Sequence, residues 1–297
     1  MSPRLDPPTP ARADPGMPPP SAATIDALAD FVARHPRLFV LTGAGVSTGS
    51  GIPDYRDNGG AWKRRPPVQF QEFVDLAATR RRYWARSLVG WRAFAAASPN
   101  LAHLALTRLE RTGRIIQLVT QNVDRLHQRA GSDRVIDLHG RLDRITCLDC
   151  GTPGQRSVLQ ARLEAANTVF AGRAATMAPD GDADLEDDDL AGFSVPDCPA
   201  CGGLLKPDVV FFGENVPPKR VENARDALAA ADAMLVVGSS LMVFSGFRFA
   251  RLAAERGLPV AAINLGRTRA DDLLSLKVGA DCGAALDGLL RRLDDAG

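Results

Sequence analysis

"LFVLTGAGVSTGSGIPDYRD", residues 38–57, runs from a short apolar stretch directly into a glycine-rich turn. That order decides the fold class, because a buried strand emptying into such a turn is how a parallel α/β sheet begins a ligand-facing loop. Gly43 and Gly45 permit tight turning and let backbone N–H groups approach a phosphate at a helix start. Thr48 stands where a third glycine would complete G-x-G-x-x-G, and the same pattern also serves a purely structural strand-to-helix turn. The continuation "GIPDYR" sets Asp54, Tyr55 and Arg56 straight after Gly51 and Pro53, a polar and aromatic cluster suited to the remainder of a dinucleotide.

Working outward, apolar runs recur at 115–120, 209–212, 234–240 and 259–265, and helical stretches fall at 24–34, 71–97, 101–111, 219–230, 246–256 and 284–293. Short, near-continuous apolar strands between helices predict a parallel sheet covered on both faces. The expected fold is α/β, a doubly wound, Rossmann-like parallel sheet with a smaller zinc-binding and helical domain inserted. Residues 24–56, 100–143 and 207–297 are assigned to the large domain. Residues 57–99, helical and rich in Arg and aromatics, and 144–206, holding the cysteine pairs, are assigned to the small one. Residues 1–23 read as a disordered, Pro-rich tail without the apolar core of a secretory signal.

The 297 residues carry a net charge of +1, with 45% hydrophobic and 24% charged side chains, an ordinary globular balance. Such a charge gives no global attraction to nucleic acid or an anionic membrane, and no apolar run approaches the ~20 residues that span a bilayer. A cytoplasmic protein without nucleic-acid or membrane partners is expected; the oligomeric state stays open.

Four of the five cysteines fall in two pairs, "CLDC" at 147–150 and "CPAC" at 198–201, and Cys282 stands alone. An odd count without a secretory signal argues against a disulfide framework. Cys147, Cys150, Cys198 and Cys201 make up the closed four-thiolate set of one structural zinc ion, with a redox dithiol as the alternative. Four thiolates need no fifth ligand, so His139, upstream in "HGRLDRITCLDC", is free of the metal. The acidic stretch 178–193 between the pairs reads as a solvated loop.

"VTQNVDRLH" (119–127) begins as the strand 115–120 ends, where an α/β sheet places ligand contacts. Gln121, Asn122 and Asp124 offer hydrogen bonds to ribose hydroxyls and a carboxamide, or serve singly as caps and turns. His127 reads as a packed core histidine.

The motifs "GAGVSTGSGIPDYRD", "TQNVDRLH", "LHG", the paired C-x-x-C, "KPDVVFFGE", "GSSL" and "INLG" together resemble the sirtuins, NAD-dependent protein lysine deacylases, over roughly residues 24–293. "RRYWARSLVGW", "KPDVVFFGE" and "GSSL" are most similar to class II, the sirtuin-4-like group. The resemblance implies that NAD is a co-substrate and an acylated-lysine protein or peptide the partner. It implies that the acyl oxygen attacks the nicotinamide ribose and expels nicotinamide, that His139 is the general base for the ribose hydroxyl that attacks next, and that water completes the cycle, giving free lysine and O-acyl-ADP-ribose. An imidazole suits that step because its ordinary pKa of ~6.5 leaves it mostly neutral near pH 7.

By the same resemblance Gly43, Ala44 and Gly45 line the phosphate and ribose site, with Arg56 near the pyrophosphate. Gln121 and Asn122 meet the ribose beside nicotinamide, and Asn122 joins His139 in catalysis. Asp124, Ile52 and Asp54 enclose the carboxamide, while Tyr55, a phenylalanine elsewhere in the family, shields the ribose from water. Gly238, Ser239, Ser240, Asn264, Leu265 and Gly266 meet the adenosine half, and the backbone of Cys282 meets adenine. Val210, Phe211, Phe212, Gly213 and Glu214 offer the edge to which a substrate peptide adds as a strand.

Tyr83 and Arg86 in "YWAR" share a helix face and match the Tyr-x-x-Arg with which some sirtuins grip an acidic acyl group. A surface Arg beside a half-buried Tyr is the plainer alternative. The first reading implies preference for longer or acidic acyl chains. Mono-ADP-ribosyl transfer and a non-catalytic NAD-binding scaffold are the competing functions.

Overall fold

The computed structural model describes residues 20–63, 67–171, 190 and 192–295. Its helices are α1 (Ala22–Arg34), α2 (Phe70–Asp75), α3 (Ala77–Ala96), α4 (Leu101–Arg111), α5 (Leu126–Arg129), α6 (Arg156–Ala166), α7 (Thr168–Ala171), α8 (Pro218–Ala229), α9 (Phe244–Glu255) and α10 (Cys282–Asp295). The strands are β1 (Leu38–Thr42), β2 (Ile115–Thr120), β3 (Val135–Asp137), β4 (Gly140–Cys147), β5 (Pro153–Gln155), β6 (Leu205–Val209), β7 (Ala233–Val237), β8 (Val260–Ile263) and β9 (Leu276–Val278).

Six strands form one parallel sheet in the order β3-β2-β1-β7-β8-β9. Its unbroken apolar strands follow from burial on both faces. In β1, Leu38 and Val40 enter the core shared with α1, α4 and α10, while Phe39 and Leu41 enter the opposite core with α8 and α9. The same alternation divides Leu235 and Val237 from Met234 and Val236 in β7. The chain crosses from the sheet's centre to either side, so the ends of β1, β2 and β7 meet at a topological switch point.

A second sheet, β5-β4-β6, is antiparallel and packs with α2, α3 and α6 around Phe73, Trp84, Leu88, Ile145, Leu159 and Leu205. Arg156 is buried there between the faces of Trp84 and Trp91, and its guanidinium donates to the Ser87 carbonyl (3.1 Å) and hydroxyl (3.0 Å). The small sheet runs from Gly140 to Val209, a few residues into the segments assigned by sequence to the large one.

Two expectations need correction. The run 209–212 is no strand of the large sheet: β6 ends at Val209, and the chain then turns so that Glu214 Oε2 accepts from the Phe211 N–H (2.9 Å). The helical stretch 71–97 breaks at Leu76, which is extended (φ −108°, ψ 108°). Arg80 donates to the carbonyls of Phe73 (3.0 Å) and Val74 (2.6 Å), satisfying acceptors freed at that break. Strands β3 and β9, three residues each, complete the sheet without a legible pattern. Residues 1–19 of the tail lie outside the described residues, as does the acidic stretch apart from residues 190, 192 and 193.

Candidate functional site

The carboxyl ends of the parallel strands open into a cavity of about 430 Å³. Gly43 N–H donates to the Val237 carbonyl (3.2 Å) and Gly45 N–H to that of Gly238 (2.9 Å), so the first loop rests on the end of β7. Gly238 has φ +62°, and a Cβ there would stand 2.3 Å from the Val46 nitrogen, so only glycine permits the approach. Asn100, the N-cap of α4, holds the loop's far side by donating to the Val46 carbonyl (2.8 Å) and Ser50 Oγ (3.0 Å).

A network of side chains lines the wall after β2. Ser47 Oγ donates to Asp124 Oδ2 (2.7 Å) and accepts from Asn122 Nδ2 (3.0 Å), which also reaches the Gly43 carbonyl (3.1 Å). Gln121 Nε2 donates to Ser239 Oγ (2.7 Å), tying the end of β2 to that of β7. Burial pushes the Asp124 carboxyl upward, opposed by the bonds it accepts from the Leu126 N–H and Ser47. Arg125 (φ 65°) and Leu241 (φ 54°) are the non-glycine residues of positive φ among those described, and they follow Asp124 and Ser240 in the two walls. Left-handed backbone at such residues costs on the order of 1–3 kcal/mol, and strain of this kind gathers at functional sites.

His139, between β3 and β4, projects into the same cavity. Its Nδ1 lies 3.0 Å from the Gln121 carbonyl oxygen, which only accepts, so Nδ1 carries the proton of the neutral ring. Nε2 is then the acceptor and takes a hydrogen bond from Ser245 Oγ at 2.7 Å. Burial lowers the pKa to about 4; the Gln121 carbonyl opposes this, and Arg220 and Arg248 add to it. The ring is therefore a neutral base with one usable lone pair.

Every candidate NAD or peptide residue named from sequence lines this cavity except Arg86. Arg56 donates to the Gly60 carbonyl (2.7 Å) and stacks over Trp62 at 3.9 Å. Asp54 pairs with Lys63 at 2.5 Å, and Asn264 turns back to the Gly266 carbonyl (3.0 Å). Cys282 is a buried thiol pushed up to about 12 by its burial. Glu214 braces the edge from behind: its carboxylate pairs with buried Lys206 at 2.9 Å, and that ammonium lies 4.6 Å from the Phe211 ring centre. The edge itself is partly engaged, since Phe70 N–H donates to the Phe212 carbonyl (2.8 Å) and Val210 N–H to that of His139 (2.8 Å). Tyr83 is buried against Phe73, Trp84 and Phe211, and half-buried Arg86 is absent from the cavity's lining.

The sulfur atoms of Cys147, Cys150, Cys198 and Cys201 all lie within 4.8 Å of one another, with Cys147 and Cys201 at 3.5 Å and Cys150 and Cys198 at 3.8 Å. Four thiolates about 2.3 Å from a tetrahedral zinc stand about 3.8 Å apart, so the cluster fits that ion. Each knuckle turns on a left-handed glycine placed just after its second cysteine, Gly151 (φ +72°) and Gly202 (φ +75°). Among the described residues this is the group positioned to hold a metal, and His139 takes no part in it.

Two site residues escaped the sequence reading. Ser47 carried a signal, a buried hydroxyl within the glycine-rich turn that the half-buried Asp124 carboxylate takes as donor. Ser245 carried none, since its meeting with His139 depends on how α9 packs.

Residues 43–245 match the model of the Sir2 family. The chain is 65% identical over 263 residues to "NAD-dependent protein deacetylase 2" of Bradyrhizobium diazoefficiens, spanning 89% of this chain and 96% of that one. It is 60% identical to "NAD-dependent protein deacetylase" of Bordetella bronchiseptica, with 88% and 96% covered. Among solved structures, a complex named "Sir2-p53 peptide-NAD+" matches with a TM-score of 0.72 at 31% identity, over 92% of this chain and 98% of the other. A Sir2 protein bound to a propionylated peptide matches with a TM-score of 0.71 at 31% identity and the same coverage.

Proposed function

Since the chain belongs to the Sir2 family, we propose that it is an NAD-dependent protein lysine deacylase that transfers the acyl group to ADP-ribose and releases nicotinamide. The observation that carries the reading is His139, held as a neutral base whose one lone pair opens into the strand-end cavity. On this reading Nε2 removes the proton from a ribose hydroxyl once Ser245 yields its place. Asn122 and Gln121 position that ribose, Asp124 orients the carboxamide, and the Gly43–Gly45 loop with Ser239 cradles the phosphates. Their mutual hydrogen bonds set these groups before substrate arrives, which is where positioning lowers a barrier. Cys147, Cys150, Cys198 and Cys201 would hold one zinc ion, which supplies folding free energy to the small lobe and, with a closed ligand set, no open position for substrate.

The finer reading is a class II, sirtuin-4-like enzyme, supported by "YWAR" and "KPDVVFFGE", with preference for longer or acidic acyl chains. Substrate peptide would lie along residues 210–214. The bacterial relatives favour a bacterial cytoplasmic setting. Incubation with NAD and an acyl-lysine peptide panel tests the activity and its acyl preference. Peptide-dependent nicotinamide release with loss of the acyl mass is expected, whereas ADP-ribose retained on protein would mean mono-ADP-ribosyl transfer.

A further inference from the structure

Arg248 lies one helical turn beyond Ser245 on α9, so the two side chains share the face turned to the cavity, and both line it. The guanidinium is half-buried and makes no hydrogen bond or ion pair among the described residues. Its Nε is fully enclosed without an acceptor, and its plane lies 5.3 Å from the centre of the exposed Phe244 ring. The surroundings add positive charge. Arg225 of α8 acts on it as a like charge, and Arg251 and Arg269 gather over the same Phe244 ring at 5.3 and 5.9 Å.

Arg225 and Arg267 also make no side-chain hydrogen bond or ion pair among the described residues, but both are exposed to water, and the remaining cations of this region are answered. Arg56 has the Gly60 carbonyl and Trp62, Lys63 has Asp54, Lys206 has Glu214, and Arg220 has Asp208 at 3.7 Å. A guanidinium partly withdrawn from water with no counter-ion is costly, and its planar donors fit an oxyanion, carboxylate or phosphate, through paired hydrogen bonds. The position also discriminates among anions. Arg248 stands on the His139 side of the cavity, whereas the phosphate-type loop of Gly43 and Gly45 rests on Gly238.

We propose that Arg248 is a specificity residue that receives a carboxylate of the acylated substrate, carried either at the end of the acyl chain or on a residue flanking the lysine. The proposal rests on the deacylase reading and moves the acid-binding role from Arg86, which is not in the cavity wall, to a residue that is.

The test uses the full-length protein and two matched pairs of peptides. One pair carries glutaryl- or hexanoyl-lysine in a neutral sequence; the other carries acetyl-lysine beside Glu or beside Gln. Both kcat/KM with NAD and direct binding by fluorescence anisotropy are measured for wild type, Arg248→Met, Arg248→Lys and Arg86→Met. Wild type should favour the carboxylate member of one pair, and that pair identifies the source. Arg248→Met should lower this selectivity ratio by about 10–100-fold, the weight of a charge-assisted hydrogen bond, in affinity as well as turnover. Arg248→Lys should restore part of it, and Arg86→Met should leave it in place.

No carboxylate preference in wild type overturns the proposal. So does an equal loss on both members of each pair, a preference removed by Arg86→Met instead, or a raised KM for NAD with peptide binding intact. Binding does not depend on turnover, so the two readings separate. Carboxylate-selective binding that falls in Arg248→Met, in a protein that deacylates nothing, would sink the deacylase reading and leave this one standing.

Discussion

His127 and His139 stand near the same strand ends, and burial holds both far below the ordinary imidazole range, to about 3 and about 4. They differ in where the proton-accepting nitrogen points. The Thr42 hydroxyl gives its proton to Thr120 (2.9 Å), so His127 Nε2–H donates to Thr42 (2.9 Å) and Nδ1 faces the packed interior, where the ring meets His103 at 4.8 Å. In His139 the backbone of Gln121 takes the proton-bearing nitrogen, and the lone pair faces a cavity. A depressed pKa, caused mainly by burial in both, therefore does not separate them. Function follows from the direction of the acceptor nitrogen and from what can reach it.

The largest expected effect touches neither histidine and sharpens the contrast between the two sheets. Removing zinc, or Cys147→Ser, should unfold the small lobe, since binding at a four-thiolate site is folding free energy, about 10 kcal/mol or more in small zinc peptides. Chelator should produce a separate low-temperature calorimetric transition, while Cys282→Ser leaves zinc stoichiometry unchanged. A chain fully folded and active after verified metal loss would break this assignment.

Next comes the exchange of roles between the histidines. His139→Ala should lower turnover by about 10²–10⁴-fold, the range for a lost general base, with zinc and fold retained. His127→Ala should instead cost stability, about 1–3 kcal/mol, and keep most activity per folded molecule. Similar activity losses in the two variants would erase the distinction.

Acid pH separates them again. The unfolded chain protonates His127 near 6.5 and the native chain only near 3, so between these values the unfolded state binds more protons. Stability is complete above 6.5 and falls as pH drops, by up to about 1.4 kcal/mol per unit for His127; buried His103, shifted well down, adds in the same direction. Urea unfolding at pH 7.5, 6 and 5 measures the slope. His127→Ala should flatten it; an unchanged slope would count against the packing account.

The smallest effect is at Ser245. As a donor to Nε2 its hydroxyl favours the neutral form of His139, so Ser245→Ala should raise the pKa of the base and shift the acid limb of kcat/KM upward by about half to one unit, the worth of one hydrogen bond. A profile that falls in height without shifting would mean that Ser245 only packs.

The contrast between the histidines also marks how far the sequence could be read. The glycine-rich turn after a buried strand and the two C-x-x-C pairs announce themselves because local geometry forces their residue types. Asp124 and Gln121 were legible as polar groups at a strand end, yet their mutual bonds through Ser47 and Ser239 arise from side chains far apart in sequence. Strand β3 gives no pattern in three residues, and "VVFF" mimicked a buried strand because Val209 and Phe211 pack in the small lobe instead. The left-handed backbone of Arg125 and Leu241 has no signature in residues that ordinarily avoid it.

The central claim is that His139 turns acyl-lysine and NAD into O-acyl-ADP-ribose. Mass spectrometry of one reaction with NAD and acyl-peptide, run with wild type, His139→Ala and His127→Ala, tests it most directly. Wild type and His127→Ala should give nicotinamide, deacylated peptide and O-acyl-ADP-ribose in equal amounts, and His139→Ala should give almost none of the last two. O-acyl-ADP-ribose formed by His139→Ala at the wild-type rate, or no deacylated peptide from wild type on any acyl chain, would contradict the account.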